Sequence, residues 1–80
     1  MSVGHTPHAT LDATGLFCPL PIIKTAEKIR DIALGEVLEI LATDFGILED
    51  MPAWCKAMGH EYLGTEVDNN LYRSYVRRSK

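Results

Sequence analysis

Apolar residues recur along the chain with two different periods, and these periods predict six secondary-structure elements. Alternation at every second residue is typical of a strand, and recurrence at intervals of three and four residues is typical of a helix with one buried face. The predicted elements are, in chain order, a strand at 9–13, a helix at 19–34, a strand at 36–43, a helix at 50–58 and two strands at 61–68 and 71–78. The strand at 36–43 is largely apolar on both faces, which predicts a central position in a sheet.

The order β-α-β-α-β-β predicts an α/β two-layer sandwich, in which two helices cover one face of a four-stranded mixed sheet. The first two strands are joined through a helix, so we expect a parallel pair in a right-handed unit. The last two strands are joined by Asp68-Asn69-Asn70 and predict a hairpin, in which Gly64 marks a bulge or a close approach of the backbone. We expect residues 1–8 to form a flexible tail and residues 9–80 to form a single domain.

The first helix is expected to bury one apolar stripe, to leave a charged side in water, and to end at Gly35. The stripe consists of Ile22, Ile23, Ala26, Ile29, Ile32 and Ala33. Lys24 lies on the charged side and is the cation nearest to Cys18 along the chain. It is a candidate for thiolate stabilisation or partner docking, and the alternative is an ordinary solvated charge.

The second helix carries the other cysteine of the chain. We expect Asp50 to cap this helix, Pro52 to lie in its first turn and Gly59 to end it. Its apolar stripe consists of Met51, Trp54, Cys55 and Met58. A stripe at this spacing is usually core, so Cys55 is predicted to be a buried structural thiol. The alternative is that Cys55 resolves Cys18 in a disulfide, which would need Cα atoms within about 7 Å.

The composition favours chemistry at the protein surface. With 80 residues, 46% of them hydrophobic, the chain can bury one small core but not an enclosed active site with a cofactor fold. The net charge of −3 argues against nucleic acid as a direct partner. Two cysteines with no apolar signal-like run near residue 1 indicate a reducing compartment, and no stretch is long and apolar enough for a membrane span. We therefore expect a cytoplasmic protein.

A cysteine followed by two prolines stands where the first strand ends and the first helix begins. Gly15 supplies the turn, and Pro19 and Pro21 suit the first turn of a helix, where N–H groups lack intrahelical partners. Cys18 is then the expected N-cap, with the amides of Leu20 and Ile22 facing its sulfur. Although a lone cysteine is more often a small buried hydrophobe, this setting predicts a rigid, exposed thiol with a lowered pKa.

Asp44 is expected beside this thiol. The carboxyl ends of parallel strands share one rim of a sheet, and Cys18 and Asp44 each follow one of the two predicted parallel strands. Asp44 is most simply the cap of a turn at 45–48, and it is also a candidate for docking a partner. A carboxylate of ordinary pKa is too weak a base to deprotonate a thiol usefully.

Several stretches resemble the TusA (SirA-like) family of small sulfur-carrier proteins. The matching stretches are Leu11-Asp12-Ala13-x-Gly15-Leu16-x-Cys18-Pro19-x-Pro21, Asp50-Met51-Pro52-Ala53-Trp54-Cys55, Gly59-His60-Glu61 and Tyr72-Arg73-x-Tyr75-Val76-Arg77. The resemblance covers nearly the whole chain, from about Ala9 to Lys80. It departs from the family at Leu20, where relatives often have Glu, and at Ser74, where many have a large apolar residue.

The resemblance implies that Cys18 carries a persulfide and passes the outer sulfur to a cysteine of a partner protein. It also implies a positioning role for Gly15, Pro19 and Pro21, the same β-α-β-α-β-β architecture, and no metal or organic cofactor. The implied partners are a sulfur donor, such as a cysteine desulfurase or a rhodanese, and a sulfur acceptor in tRNA thiolation or oxidative sulfur metabolism. Leu20 lies within the motif, so we expect it to influence which partner docks.

Two other functions remain open from the residues alone. Arg73, Tyr75 and Arg77 lie on one predicted strand face and could serve a non-catalytic module that binds RNA or protein. A dithiol redox protein is the other alternative, although the chain lacks the Cys-x-x-Cys spacing. His5 and His8 are two histidines without nearby acidic or thiol ligands, so we expect no metal site there.

Overall fold

The computed structural model describes residues 6–80, which form one sheet with helices packed against it. The elements are β1 (Ala9–Ala13), α1 (Leu20–Lys28), a 3-10 helix (Ile29–Asp31), β2 (Val37–Ala42), α2 (Ile47–Met58), β3 (Glu61–Asp68) and β4 (Leu71–Arg77). The four strands lie in the order β1-β2-β4-β3. The predicted α/β fold, with a four-stranded mixed sheet and two helices, is confirmed.

Strand pairing follows from the connections. β1 pairs with β2 in parallel, because α1 returns the chain to the same end of the sheet, and β4 pairs with β2 and β3 in antiparallel register. The predicted central position of β2 is therefore confirmed. The register shifts between Tyr62 and Gly64, where Gly64 has a φ of 128°, so the predicted bulge is present. Asn69 has a φ of 57° in the hairpin turn, as expected for Asn at this position.

The core lies between the sheet and the helices. Alternate residues of β2, Leu38 and Ile40, face the helices and are fully buried, as are Val76 of β4 and Met51 of α2. Burying one such side chain contributes roughly 1.5–3 kcal/mol. This packing fixes the sheet rim on which the loops after β1 and β2 are displayed.

The first helix is shorter than predicted. Helical structure over 19–34 was expected, but α1 gives way to the 3-10 helix at Ile29, and Ile32 is extended with φ of −103° and ψ of 159°. Arg78 explains this end, because its guanidinium donates hydrogen bonds to the carbonyls of Ile32 at 2.6 Å and Arg30 at 3.5 Å. The Arg78 side chain thus donates to carbonyls that the N–H groups of a longer helix would otherwise bond. Gly35, with a φ of 87°, lies in the turn that follows.

The buried side of α1 also differs from the predicted stripe. Pro21, Thr25 and Ile29 are buried, whereas Ile23 and Ala33 are exposed. Thr25 is tolerated in the core because its hydroxyl donates to the Pro21 carbonyl at 2.7 Å. The apolar periodicity was misleading here because a Pro and a Thr, neither of which counts as strongly apolar, face the sheet.

The second helix begins earlier than predicted. α2 starts at Ile47, so Asp50 lies within its first turn rather than capping it, and Pro52 lies in its interior. The earlier start follows from Asp44, whose carbonyl accepts the Ile47 N–H at 3.2 Å and whose Oδ1 accepts the Gly46 N–H at 3.1 Å. The helix tolerates Pro52 because proline removes only one N–H, the one that would reach the carbonyl four residues earlier.

The end of α2 agrees with the prediction, but its stripe does so only in part. Gly59 ends the helix with φ of 81°, and its N–H donates to the Cys55 carbonyl at 2.9 Å. Met51 and Cys55 are buried, Trp54 is half-buried, and Met58 is 52% exposed. Met58 is the last residue of the helix.

The start of the described chain already belongs to the sheet. The His8 N–H donates to the Val37 carbonyl at 2.8 Å, and His8 Nδ1 accepts the Val37 N–H at 3.0 Å. His8 is thus held at the start of β2, whereas residues 1–5, including His5, lie outside the described residues. Within residues 6–80, no helix has the length and apolar character needed to cross a membrane.

Candidate functional site

The Cys18 loop is anchored to the end of the neighbouring strand. Gly15 adopts a φ of 79°, and its N–H donates to Thr43 Oγ1 at 2.8 Å. Three residues later, the Cys18 N–H donates to Asp44 Oδ2 at 2.8 Å. The structure therefore brings Cys18 and Asp44 together on the rim where parallel β1 and β2 end, and the Cys18 side chain is exposed there. Thr43 is part of this anchor and was missed in the sequence.

The first amides of α1 do not face the Cys18 sulfur. The Leu20 N–H donates to the Phe17 carbonyl at 2.8 Å, and the N–H groups of Ile22 and Ile23 both donate to the Pro19 carbonyl at 3.1 Å. Pro19 is the N-cap residue, and the peptide bond between Cys18 and Pro19 is cis. The expected N-cap role of Cys18 is therefore wrong, because the tight turn through the two prolines gives these amides backbone carbonyls as acceptors.

The Cys18 sulfur instead contacts a carboxylate. Cys18 Sγ donates a hydrogen bond to Asp50 Oδ2 at 2.8 Å. This bond raises the pKa of Cys18 above its ordinary value, and partial desolvation and the negative charges of Asp50 and Asp44 act in the same direction. The expected lowering of the thiol pKa is thus wrong for the isolated chain, because carboxylates rather than helix amides surround the sulfur.

The two carboxylates hold different atoms of Cys18. Asp44 binds the backbone, and the hydrogen bonds from the N–H groups of Cys18 and Gly46 lower the pKa of Asp44. Asp50 binds the side chain, and it reaches the sulfur because α2 starts at Ile47 and presents its first turn to the loop. Sequence reasoning missed this contact, since Asp50 fitted the pattern of a helix cap. The available signal was that Asp50 follows Asp44 by six residues.

Lys24 does not contribute to this environment in the way the sequence suggested. Lys24 Nζ lies 3.9 Å from Glu27 Oε1, three residues further along α1, and both side chains are largely exposed. The charged groups that act on the Cys18 thiol are Asp50 and Asp44. An exposed pair of this kind contributes little to stability.

Exposed apolar side chains occur in the segments that carry Cys18 and its two carboxylate partners. Five of the eight large apolar residues exposed in residues 6–80 lie in the loop before α1, the loop before α2 and the first turns of these helices. We call them the apolar collar: Phe17, Leu20, Ile23, Phe45 and Leu48. Phe17 and Phe45 are 75% and 72% exposed. Clustered exposed apolar residues of this kind are typical of a protein interaction site.

Cys55 lies in a different environment. Its side chain is in the core on α2 and only 1% exposed. Burial raises the pKa of Cys55 from its ordinary 9.0 to about 11. Both cysteines are free thiols.

A groove of about 290 Å³ lies towards the other ends of the two helices and does not include Cys18. Its lining residues are Ala26, Ile29, Arg30, Trp54, Met58, His60, Arg78 and Lys80. The Trp54 and His60 rings are 5.2 Å apart between centroids. Cys18 therefore lies on an open surface rather than in this cavity.

The strand face considered for RNA binding is internally paired. Tyr75 is only 3% exposed, and its hydroxyl donates to Glu39 Oε2 at 2.8 Å. Arg73 lies 3.5 Å from Glu66 Oε1, and Arg77 lies 3.1 Å from Glu61 Oε1. A buried ring and paired guanidinium groups are poorly placed to stack on bases or bind phosphates.

Comparison with known proteins places the chain in a family. Residues 9–78 match the family model described as Sulfurtransferase TusA. The chain is 53% identical over 68 residues to YrkF of Bacillus subtilis. The matched residues make up 85% of this chain and 37% of YrkF. It is 41% identical over 70 residues to the sulfur carrier protein TusA of Pseudomonas entomophila, covering 88% of each chain.

A solved structure shares the fold. The SirA-like protein of Desulfitobacterium hafniense has a TM-score of 0.76 and 22% identity, covering 90% of this chain and 99% of that one. The chain belongs to the TusA family, and its role is that of a sulfur carrier. Such a carrier exchanges sulfur with donor and acceptor partners.

Proposed function

We propose that Cys18 is the residue that carries the sulfur, as a persulfide. The observation that supports this most is that Cys18 is an exposed thiol on an anchored loop within the apolar collar, whereas Cys55 is buried. A thiol that exchanges sulfur with other proteins must be reachable by their cysteines. The collar offers the surface on which such a protein would dock.

The reaction is an exchange between sulfur atoms. Cys18 attacks the outer sulfur of a donor persulfide, the new S–S bond forms at Cys18, and the bond to the donor sulfur breaks. An acceptor cysteine then attacks the outer sulfur on Cys18, which regenerates the thiol. Every atom and electron is accounted for within the exchanging sulfurs, so the exchange itself needs no external oxidant. In this sense the protein acts as a sulfurtransferase.

The residues around Cys18 have separate roles in this proposal. Gly15 and Asp44 anchor the loop through hydrogen bonds, and Pro19 and Pro21 restrict its backbone. Leu20 is the motif residue that joins the docking collar, so we assign partner selection to it. Lys24, exposed on the first helix, is placed to contact a docked partner at the edge of this surface.

The partners proposed are a sulfur donor, such as a cysteine desulfurase or a rhodanese, and a cysteine-bearing acceptor protein. The acceptor belongs to tRNA thiolation or to oxidative sulfur metabolism. Two free thiols fit a reducing compartment, so the proposed location is the cytoplasm.

Sulfur loading tests the proposal. The wild-type protein, Cys18→Ser and Cys55→Ser are incubated with a small-molecule persulfide and analysed by intact-protein mass spectrometry. We expect the wild type and Cys55→Ser to gain the mass of one sulfur atom, reversibly with reductant, and Cys18→Ser to gain none. If loading persists in Cys18→Ser and disappears in folded Cys55→Ser, Cys55 rather than Cys18 is the nucleophile and the proposal is wrong.

A further inference from the structure

The carboxylate that contacts the Cys18 sulfur has no role in the exchange described above. Asp50 Oδ2 accepts the Cys18 thiol hydrogen. The first amides of α1 are not directed at the sulfur, because Leu20 and Ile22 donate to backbone carbonyls. A carboxylate next to a thiolate is repulsive, so this contact favours the protonated thiol. The nucleophile of the carrier is therefore held in its less reactive form.

We propose that Asp50 restrains the Cys18 thiol in the free carrier, and that a positively charged group of the partner protein releases it on docking. This inference rests on the assignment of Cys18 as the sulfur-carrying residue. A cation beside Asp50 would replace the thiol hydrogen as the partner of the carboxylate and would offset the repulsion on the thiolate. Exchange would then be faster in the complex than in free solution.

Asp50 is the residue suited to this role because Asp44 is already engaged. Both oxygens of Asp44 accept backbone N–H groups, from Cys18 and from Gly46. Asp50 lies in the first turn of α2, where the helix dipole favours a negative charge. The charged groups facing the thiol are then Asp44 from the loop after β2 and Asp50 from α2, while Lys24 of α1 lies beside Glu27.

The transfer step stays balanced with this restraint. The Cys18 sulfur bonds to the outer sulfur of the donor persulfide, the donor S–S bond breaks, and the proton that Cys18 shared with Asp50 ends on the departing donor thiol. The products are the Cys18 persulfide and a donor thiol, with no net oxidation. Asp50 is unchanged at the end of the step.

The partner chemistry follows from the charges. Asp50 contacts the reacting sulfur, and Asp44 binds the backbone N–H of the same cysteine. The segments that carry these carboxylates also carry exposed apolar residues of the collar. A donor or acceptor that presents a lysine or arginine next to its exchanging cysteine is complementary to this arrangement, whereas an acidic partner is repelled.

The test measures Cys18 reactivity without any persulfide. Wild type, Asp50→Asn, Asp50→Glu and the control Glu49→Gln are treated with iodoacetamide across a pH series. Glu49 is an exposed carboxylate in the same turn of α2, so its variant removes one charge from that turn without the thiol contact. We expect the midpoint of the pH–rate profile to move to lower pH in Asp50→Asn, to stay near wild type in Asp50→Glu, and to move little in Glu49→Gln.

A second readout tests the charge preference. Rates are compared for two disulfides of similar size, the dication cystamine and the dianion dithiodipropionate. The preference is the ratio of the cystamine rate to the dithiodipropionate rate, divided by the same ratio measured for the uncharged thiol N-acetylcysteine amide. We expect the wild type to prefer cystamine, and we expect this preference to be about three- to tenfold smaller in Asp50→Asn. Should Asp50→Asn fail to fold, the wild-type preference still decides, because the absence of any preference would contradict the restraint.

Equal pH–rate profiles and equal disulfide preferences in folded Asp50→Asn and Glu49→Gln would overturn the role of Asp50. Neither readout depends on sulfur loading. A failure of Cys18 to load sulfur would therefore count against the proposed function, while identical profiles with normal loading would count only against the restraint.

Discussion

The exposed thiol of Cys18 and the buried thiol of Cys55 both have raised pKa values, but for different reasons. At Cys18, on the exposed rim, the main cause is the hydrogen bond to Asp50. At Cys55, inside α2, the cause is burial alone. A partner can compensate a nearby negative charge by bringing a positive one, but burial ends only when the helix leaves the sheet.

The direction of a pKa shift therefore does not by itself identify a reactive cysteine. Both thiols have a pKa above that of a free cysteine. Cys18 differs from Cys55 because it is exposed and because a docked partner can offset the charge that raises its pKa. The following predictions test this contrast.

The largest expected difference is in alkylation. At neutral pH, iodoacetamide should modify Cys18 while Cys55 reacts only through unfolding, which makes Cys55 slower by about a thousandfold or more for a domain of ordinary stability. Peptide mass mapping over time measures both rates in one sample. Comparable rates in the absence of denaturant would show that Cys55 is accessible and would remove the contrast.

Replacement by serine should separate the thiols by stability. In Cys55→Ser a hydroxyl replaces a thiol that is 1% exposed, which should cost about 1–3 kcal/mol of unfolding free energy. Cys18→Ser is exposed and should stay within about 0.5 kcal/mol of the wild type. Urea denaturation followed by Trp54 fluorescence measures both. A larger loss in Cys18→Ser than in Cys55→Ser would contradict the assigned environments.

The strands could be predicted from the sequence because alternation is a local signal. β1, the bulge at Gly64 and the turn at Asn69 all follow from neighbouring residues. The end of α1 could not be predicted, because Arg78 reaches it from 46 residues away along the chain. Tertiary contacts of this range leave no periodic trace in the sequence.

The candidate site divides in the same way. The rim shared by Cys18 and Asp44 follows from the order of the parallel strands, and the sequence predicted it. The contact between Cys18 and Asp50 depends on where α2 begins, and that start was misplaced by three residues. Because this contact was not predicted, the direction of the pKa shift at the Cys18 thiol was predicted wrongly.

Alkaline pH should reduce the contribution of Cys55 to the free energy of unfolding. Its folded-state pKa of about 11 lies above the ordinary 9.0, so the protonated thiol contributes stability that is fully present below about pH 9. This stability is lost as the pH rises from 9 towards 11. The difference in unfolding free energy between wild type and Cys55→Ala should therefore narrow across this range in urea titrations. The difference for Cys18→Ala should change in the same direction, because the hydrogen bond to Asp50 also raises the pKa of that thiol. A constant difference for Cys55→Ala would contradict the buried state of the thiol.

The smallest expected effect concerns Asp44. Its pKa is lowered in the folded protein, so its contribution to stability is present above its ordinary 3.8 and is lost as the pH falls through the lower folded value. The melting temperature of Asp44→Ala should be below that of wild type at pH 6 and should approach it in acid. Glu49→Gln serves as the control for removing one charge. A gap that is unchanged at the lowest pH would show that Asp44 does not hold the Cys18 loop through its ionised form.

The most direct measurement is the position of the carried sulfur. Wild-type protein is loaded with a small-molecule persulfide, the S–SH group is alkylated, and the protein is digested and sequenced by tandem mass spectrometry. We predict that the additional sulfur is found on the peptide containing Cys18, with Cys55 recovered as an unmodified thiol after denaturation. Sulfur found on the Cys55 peptide, with Cys18 unloaded, would contradict the assignment of the carrier thiol.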